Sequence, residues 1–341
     1  MHSGFVAVVL GALSTCSCIH TYTHSQEHYE NMFAEWMEKY SISFPNASEY
    51  ARRLQIFIET DNIIEEHNAN KESTYTLAHN AFSHMTLSEF ESHMGLRASA
   101  HSKPGLTSAG PVDTSSNYTV VPSSWDWTSK GAVTDVKDQG KCSSGGWAFS
   151  VAAAIESAYQ IQGNDLTSLS EQNIISCDTT DTGCDGGWMD SGFSWVKKNG
   201  GLCTSTAYPY SSGDTGSSGE CSTSCSSLKG TAPTSYTDVT QGSVSALTSA
   251  VYQQPVSVAI QANQIGIKSY GSGVFSGKCG QRVDHGVLVV GYGTDPDSGL
   301  DYWKIKNSWG TSWGEQGYLR IEKSDADRCG VLDAPSYPNL S

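Results

Sequence analysis

An α+β fold is expected, with a helical N-terminal segment, then a helical lobe, then a β-rich lobe. Three observations predict it. Tyr29, Met32, Phe33, Trp36, Met37 and Tyr40 recur at helical intervals. Residues 148–159 are apolar on every face, the mark of a buried helix. From Pro255 onward the apolar residues gather in short β-branched runs: Val256 to Ile260, Gly286 to Tyr292 and Tyr302 to Ile305. A helical lobe followed by a β lobe leaves a cleft between them, where a site is expected.

The chain has 341 residues, enough for a leader, a helical segment and a two-lobed domain. Its net charge is −15, acidic on both sides of Val121, so no nucleic-acid partner is expected. Phe5 to Leu13 is a short apolar run that predicts a secretory signal over residues 1–18, too short to cross a membrane. No later run is long enough for a membrane helix. The secretory pathway, ending outside the cell or in a lysosome or vacuole, is the expected route. A helical segment is expected over 26–95, with Glu49 to Asn68 as its second helix. Residues 96–120, rich in Ser, Gly, Thr and Ala, predict a linker, and 121–341 form the main domain. Asn46, Asn117 and Asn339 head N-glycosylation sequons.

Cys16 and Cys18 fall in the expected signal. The other eight cysteines, Cys142, Cys177, Cys184, Cys203, Cys221, Cys225, Cys279 and Cys329, all lie beyond residue 140 and predict four disulfides. Cys221-x-x-x-Cys225 has the spacing of half a zinc site, but no His cluster completes it. No metal and no cofactor is expected.

Three segments carry chemistry. Asp138-Gln139-Gly140 precedes Cys142-Ser143-Ser144-Gly145-Gly146-Trp147-Ala148-Phe149-Ser150. His285 sits in Val283-Asp284-His285-Gly286-Val287. Asn307 sits in Lys306-Asn307-Ser308-Trp309-Gly310, with Trp313-Gly314 beyond. A His next to an Asn that can fix its tautomer, with an amide donor nearby, suits nucleophilic acyl transfer. Together the segments resemble the papain-like, cathepsin L-type cysteine proteases. The helical segment agrees. Glu49, Arg53, Phe57, Ile64 and Asn68 follow the interrupted motif of that family's inhibitory pro-region, with Thr60 in place of its usual Asn. Asn80 to Thr86 with Glu89-Phe90 resembles its second motif, with Ala78 and His84 replacing a Gly and an Asp. The resemblance therefore implies a papain-like two-lobed fold behind a helical pro-region.

It also implies roles. His285 and Asn307 match the catalytic His and its orienting Asn, and Gln139 matches the side-chain oxyanion donor. Gly186, Gly187, Trp188, Met189, Ala259, Gly286, Trp309 and Ala334 match the peptide-binding cleft and its apolar specificity pocket. Cys142 is expected to pair with Cys184, Cys279 with Cys329, and Cys177 with Cys221 or Cys225, leaving Cys203 for the other. The expected ligands are an extended peptide and the chain's own pro-region, and a monomer is expected.

One element departs. The family carries its nucleophilic Cys immediately before the Trp-Ala-Phe run, where this chain has Gly146. The family has three residues between Cys142 and the Trp, and this chain has four. Counting from Cys142 gives Gly145 and counting from Trp147 gives Gly146, so both land on glycine. An inactive, peptide-binding homologue is the first reading. The second is an active endopeptidase, if the Gly145-Gly146 segment reflects a gene-model error or a mutation. The third is a serine-dependent variant using Ser144. A helix N-cap is the preferred role for Ser144.

Overall fold

The computed structural model describes residues 23–92, 94–96 and 121–341. The expected signal, Cys16, Cys18, Asn117 and nearly all of the linker lie outside them. The chain divides into two compact units, up to Ser43 and from Phe44. The first contains α1 (Gln26–Tyr40). Ser25 caps it by accepting the His28 N–H at 3.2 Å, and Ser41 ends it in the left-handed conformation. Tyr29, Phe33 and Trp36 of its apolar stripe are buried.

In the second unit, the N-terminal segment continues as α2 (Ala47–Ala69), β1 (Tyr75–Leu77) and α3 (Leu87–Glu91). The motif residues lie along one face of α2 because they recur every three or four positions. Each has a job there. Arg53 donates to Glu49 at 2.6 Å, to Glu89 at 2.9 Å and to the His84 carbonyl at 2.9 Å. Thr60 replaces an amide by donating its hydroxyl to the Ser83 carbonyl at 3.0 Å. Asn68 pairs with both backbone groups of Leu77, at 2.9 Å each, and so pins β1 to α2. Thr86 and Glu89 form a capping box on α3.

The main domain begins with β2 (Trp125–Asp126) and the helices α4 (Gly146–Ile161), α5 (Glu171–Cys177), α6 (Met189–Asn199) and α7 (Ser212–Thr215). It continues with β3 (Ser235–Asp238), α8 (Val244–Gln253), β4 (Val256–Ile260), α9 (Ile265–Lys268), β5 (Tyr270–Phe275), β6 (His285–Thr294), β7 (Asp301–Lys306), β8 (Tyr318–Glu322) and β9 (Ser336–Asn339). The strands form one sheet in the order β1-β5-β8-β7-β6-β4-β9-β3, with β2 also on β6. The β5–β8 pair is parallel and the other pairs are antiparallel. β1 of the N-terminal segment thus extends the sheet of the main domain at β5.

α4 is buried on all sides from Gly146 to Ala158, as its composition predicts. Its core includes Trp147, Val151 and Ile155 and reaches across to Ala259, Leu288 and Val290 of the sheet. Each such large apolar side chain contributes about 1.5–3 kcal/mol on burial. A second core, within the β lobe, gathers Val256, Val258, Tyr270, Trp303, Trp309 and Trp313.

Four disulfides join Cys142 to Cys184, Cys177 to Cys221, Cys203 to Cys225 and Cys279 to Cys329. The partner of Cys177, left open by the sequence, is Cys221. Cys221 and Cys225 are both bridged, so neither offers a thiolate to zinc. The amide nitrogen of Asn339 donates to Ser235 and Thr237 at 2.9 Å each, so a glycan there would remove at least one of the two bonds.

His84 is partly buried, and its ring meets Phe44 edge-on at 5.7 Å. Burial and the cations Arg53 and Lys268 push its pKa down to about 4, against smaller upward pulls from Glu89 and Glu49. A folded pKa below the free value of 6.5 means the unfolded chain binds the extra proton. His84 therefore contributes stability that is complete above pH 6.5 and lost as pH falls toward 4. His84→Asn is expected to flatten the loss of thermal stability across that window, as read by melting at pH 7, 5.5 and 4.

Candidate active site

The site is built where the start of α4 meets the start of β6. Gly145 is the N-cap of α4 and no side chain caps the helix. The cap expected of Ser144 is not made. The turn from Cys142 is closed by the Gly145 N–H on the Cys142 carbonyl at 2.9 Å, which puts Ser144 one residue too early. The Ser144 side chain lies instead against Gly95 of the N-terminal segment, and it makes no hydrogen bond to His285.

The two glycines differ in what a side chain on each would meet. A β-carbon on Gly145 would meet the Cys142 carbonyl at 2.9 Å and the Cys142 sulfur at 3.0 Å, inside the helical lobe. A β-carbon on Gly146 would lie 2.7 Å from Nδ1 of His285 and closer still to Cε1. A side chain at 146 would therefore point straight at the imidazole. Position 146 is also the first residue of a 16-residue helix, whose positive end favours a developing anion.

His285 is 2% exposed. Its Nε2 is 2.8 Å from Oδ1 of Asn307, and its ring stacks on Trp309 at 4.8 Å. The Ser308 N–H also donates to that Oδ1 at 2.8 Å, which fixes the amide's orientation, since a backbone donor cannot flip. Nε2 therefore carries the proton and Nδ1 presents its lone pair toward Gly146. Burial pushes the His285 pKa down to about 4, and the Asn307 hydrogen bond only partly offsets this. The ring is a neutral base with no anion beside it.

Gln139 is held on every side. Its backbone N–H donates to the Ser308 carbonyl at 2.9 Å, its carbonyl accepts from the Tyr210 hydroxyl at 2.8 Å, and its Oε1 accepts from the Ser308 hydroxyl at 2.6 Å. Its Nε2 donates to the carbonyl of Ser143 at 2.5 Å. One of the two Nε2 protons is thus given to a carbonyl of the turn, and the other is left to meet a bound carbonyl.

Three glycines allow the walls to close. A β-carbon on Gly286 would sit 3.0 Å from the Trp147 Cα and 3.0 Å from the Met189 sulfur. One on Gly187 would enter the Trp147 ring, at 2.5 Å from Cε2. Gly186 has φ +108°, and a β-carbon there would strike the Gly95 carbonyl. Trp188, Met189 and Ala259 of the expected pocket are buried in the helical-lobe core, and Ala259 pairs with Gly286 across β4 and β6. Ala334 packs on that core from its edge, as do Val283 and Leu96.

Leu96 was assigned to the linker by composition, and it belongs to the site. It bridges Gly187 in parallel and donates its N–H to the Asp284 carbonyl at 3.1 Å. Met94, Gly95 and Leu96 thus run through the cleft, and Phe82 and Phe90 cover Trp309 at 5.4 and 5.5 Å. The signal that marks this stretch is an apolar–Gly–apolar triplet in otherwise polar sequence.

Behind the dyad lies a charged layer that motif reading missed. Lys137 donates to Glu156 at 2.8 Å and to Glu171 at 2.5 Å, and Lys306 to Thr134 at 2.9 Å. Burial would push both carboxyls up. Lys137 and Lys306 hold Glu156 below its usual value, while Glu171 stays raised. A cavity of about 20 Å³ between these groups and Asn307 is large enough for one water.

The fold and the cleft define a two-lobed peptidase-type domain with its N-terminal segment in place. Comparison with known proteins agrees. Residues 121–339 match the family described as papain family cysteine protease, and residues 33–90 match the cathepsin propeptide inhibitor domain. The chain is 39% identical to the thiol protease SEN102 of Hemerocallis, over 98% of this chain and 94% of that protein. It is 42% identical to the senescence-specific cysteine protease SAG12 of Arabidopsis thaliana, over 90% and 89%. Among solved structures, the proform of the ragweed pollen allergen Amb a 11 superposes with a TM-score of 0.81 at 34% identity, covering 93% of this chain and 94% of that one. Recombinant stem bromelain precursor does so with 0.80 at 37% identity, covering 92% and 99%. The chain belongs to the papain family of cysteine proteases and carries that family's propeptide domain. Among the described residues, no helix is long and apolar enough to cross a membrane.

Two outcomes follow from this geometry. Lys137→Met leaves Glu156 and Glu171 without their shared cation and is expected to cost about 3–5 kcal/mol in chemical denaturation. In an NMR titration of the folded protein, His285 should stay neutral until the pH nears 4. Its contribution to stability is then complete above 6.5 and lost as pH falls toward 4.

Proposed function

We propose that this chain is a proteolytically inert papain-family homologue of the secretory pathway whose cleft holds extended peptide, its own pro-segment first. One observation carries the reading. The helix-terminal position whose side chain would face Nδ1 of His285 is Gly146, and glycine has nothing to attack with. In this reading His285 and Asn307 are the family's base and its orienting partner, and Gly146 stands where the thiol would be. A covalent mechanism needs that thiolate. The neighbouring hydroxyls do not replace it, because Ser144 is turned to Gly95 and Ser143 bonds weakly to the Lys141 carbonyl at 3.4 Å.

A second element supports inertness. One Nε2–H of Gln139 is tied to the Ser143 carbonyl before any ligand arrives, so the amide has a single proton left to offer a developing oxyanion. The relatives are named as proteases, so the contrasting reading is an active endopeptidase with Cys at 146.

The test is peptide hydrolysis by the protein and by His285→Ala, before and after an added protease removes the pro-region. Equal rates are expected, with no labelling near residue 146 by a thiol-directed epoxide. Hydrolysis that falls on replacing His285 would overturn the proposal. Gly146→Cys should gain epoxide labelling yet hydrolyse slowly. Deleting Ser144 in that variant should then raise kcat with little change in KM.

A further inference from the structure

Where the pro-segment crosses the site, it is squeezed between two residues. On one side is Ser144. A β-carbon on Gly95 would overlap both Cβ and Oγ of Ser144, and the Ser144 Cα itself would be only 3.3 Å away. On the other side is Gly186, whose own β-carbon would strike the Gly95 carbonyl oxygen and sit 2.9 Å from its carbon. Gly95 is not in the left-handed region, so backbone conformation does not explain its identity. The constraint is room. On either side of Gly95 the contacts are ordinary apolar packing, Met94 on the β-lobe core and Leu96 on the helical-lobe core.

We infer that Ser144 is a specificity-determining residue of this cleft, admitting only a chain with glycine at the position that faces it. The ligand class is an extended peptide reading apolar–Gly–apolar, and its first member is Met94-Gly95-Leu96 of the chain itself. Ser144 lies in the stretch that is one residue longer than the family pattern between Cys142 and Trp147. In this turn the Ser143 carbonyl accepts from Gln139, and the Ser144 β-carbon stands in the path of the pro-segment. Because the obstruction begins at Cβ, alanine at 144 obstructs as serine does and only glycine clears it. The inference rests on reading the cleft as a peptide site and is independent of whether the protein hydrolyses anything.

The experiment is amide hydrogen exchange across residues 94–96 in the full chain, for the unmodified protein, Gly95→Ala, Gly95→Ala with Ser144→Ala, and Gly95→Ala with Ser144→Gly. Gly95→Ala is expected to speed exchange about tenfold or more, since a forced methyl in a packed contact displaces its neighbours. Adding Ser144→Gly should return exchange to near the unmodified rate, and adding Ser144→Ala should not. Exchange in α4 is the control for folding. If Gly95→Ala alone does not fold, recovery of folding by Ser144→Gly supports the inference and its absence overturns it. Unchanged exchange in Gly95→Ala also overturns it, as does rescue by Ser144→Ala equal to that by Ser144→Gly. Peptide hydrolysis enters none of these readouts, so their failure is separable from failure of the proposed inert function.

Discussion

Everything in the cleft depends on how closely the first turn of α4 approaches the first residues of β6. Gly286 lets the Trp147 backbone come within what would be 3.0 Å of a β-carbon. That approach carries Gly146 to the face of His285. The same contact buries the imidazole, and burial, more than any charge, sets its proton affinity. Trp309 and Asn307 then hold the ring from the far side. A side chain at 146 would have to displace the ring, since its β-carbon would lie 2.7 Å from Nδ1 and closer to Cε1. With glycine there, the ring itself fills the space.

The pro-region is tied to this arrangement through ordinary secondary structure. Arg53 and Thr60 each spend a side chain on a backbone carbonyl of the loop between β1 and α3, and Asn68 does so on β1. Asn80 and Lys268 then exchange backbone bonds across the boundary: Asn80 donates to the Lys268 carbonyl at 2.7 Å and Lys268 to the Met85 carbonyl at 2.6 Å. Because the interactions are with the backbone, the motif tolerates Thr60 and His84 without losing its geometry. What changes is the electrostatics, since a carboxylate has given way to a base beside Arg53 and Lys268.

Much of this was legible in the sequence, and the misses share a cause. Periodicity located α1, α2, α4 and the strands β4, β6 and β7, because those elements bury regular faces. Local motifs located His285, Asn307 and Gln139, because each sits in a distinctive run. The sequence could not decide between Gly145 and Gly146, since that depends on which way a β-carbon would point. It assigned Ser144 to a cap from its residue type, whereas the closed turn at Cys142 displaces the hydroxyl. It placed Leu96 in the linker, since the bridge that Leu96 makes is to a partner ninety-one positions away at Gly187. The Lys137–Glu156–Glu171 layer was invisible for the same reason, as nothing local marks a Lys whose partners lie on two later helices.

β1 is three residues long, yet it lies along the edge of β5 and ends the sheet there. In a protease that sheds its pro-region, that edge is uncovered at the moment of activation. Here the strand is held by Asn68 and by the Thr74 hydroxyl on the Val274 carbonyl at 2.7 Å. An uncovered strand edge is a template for pairing with another chain. The pro-region is thus a terminal cap on the sheet as much as a plug in the cleft.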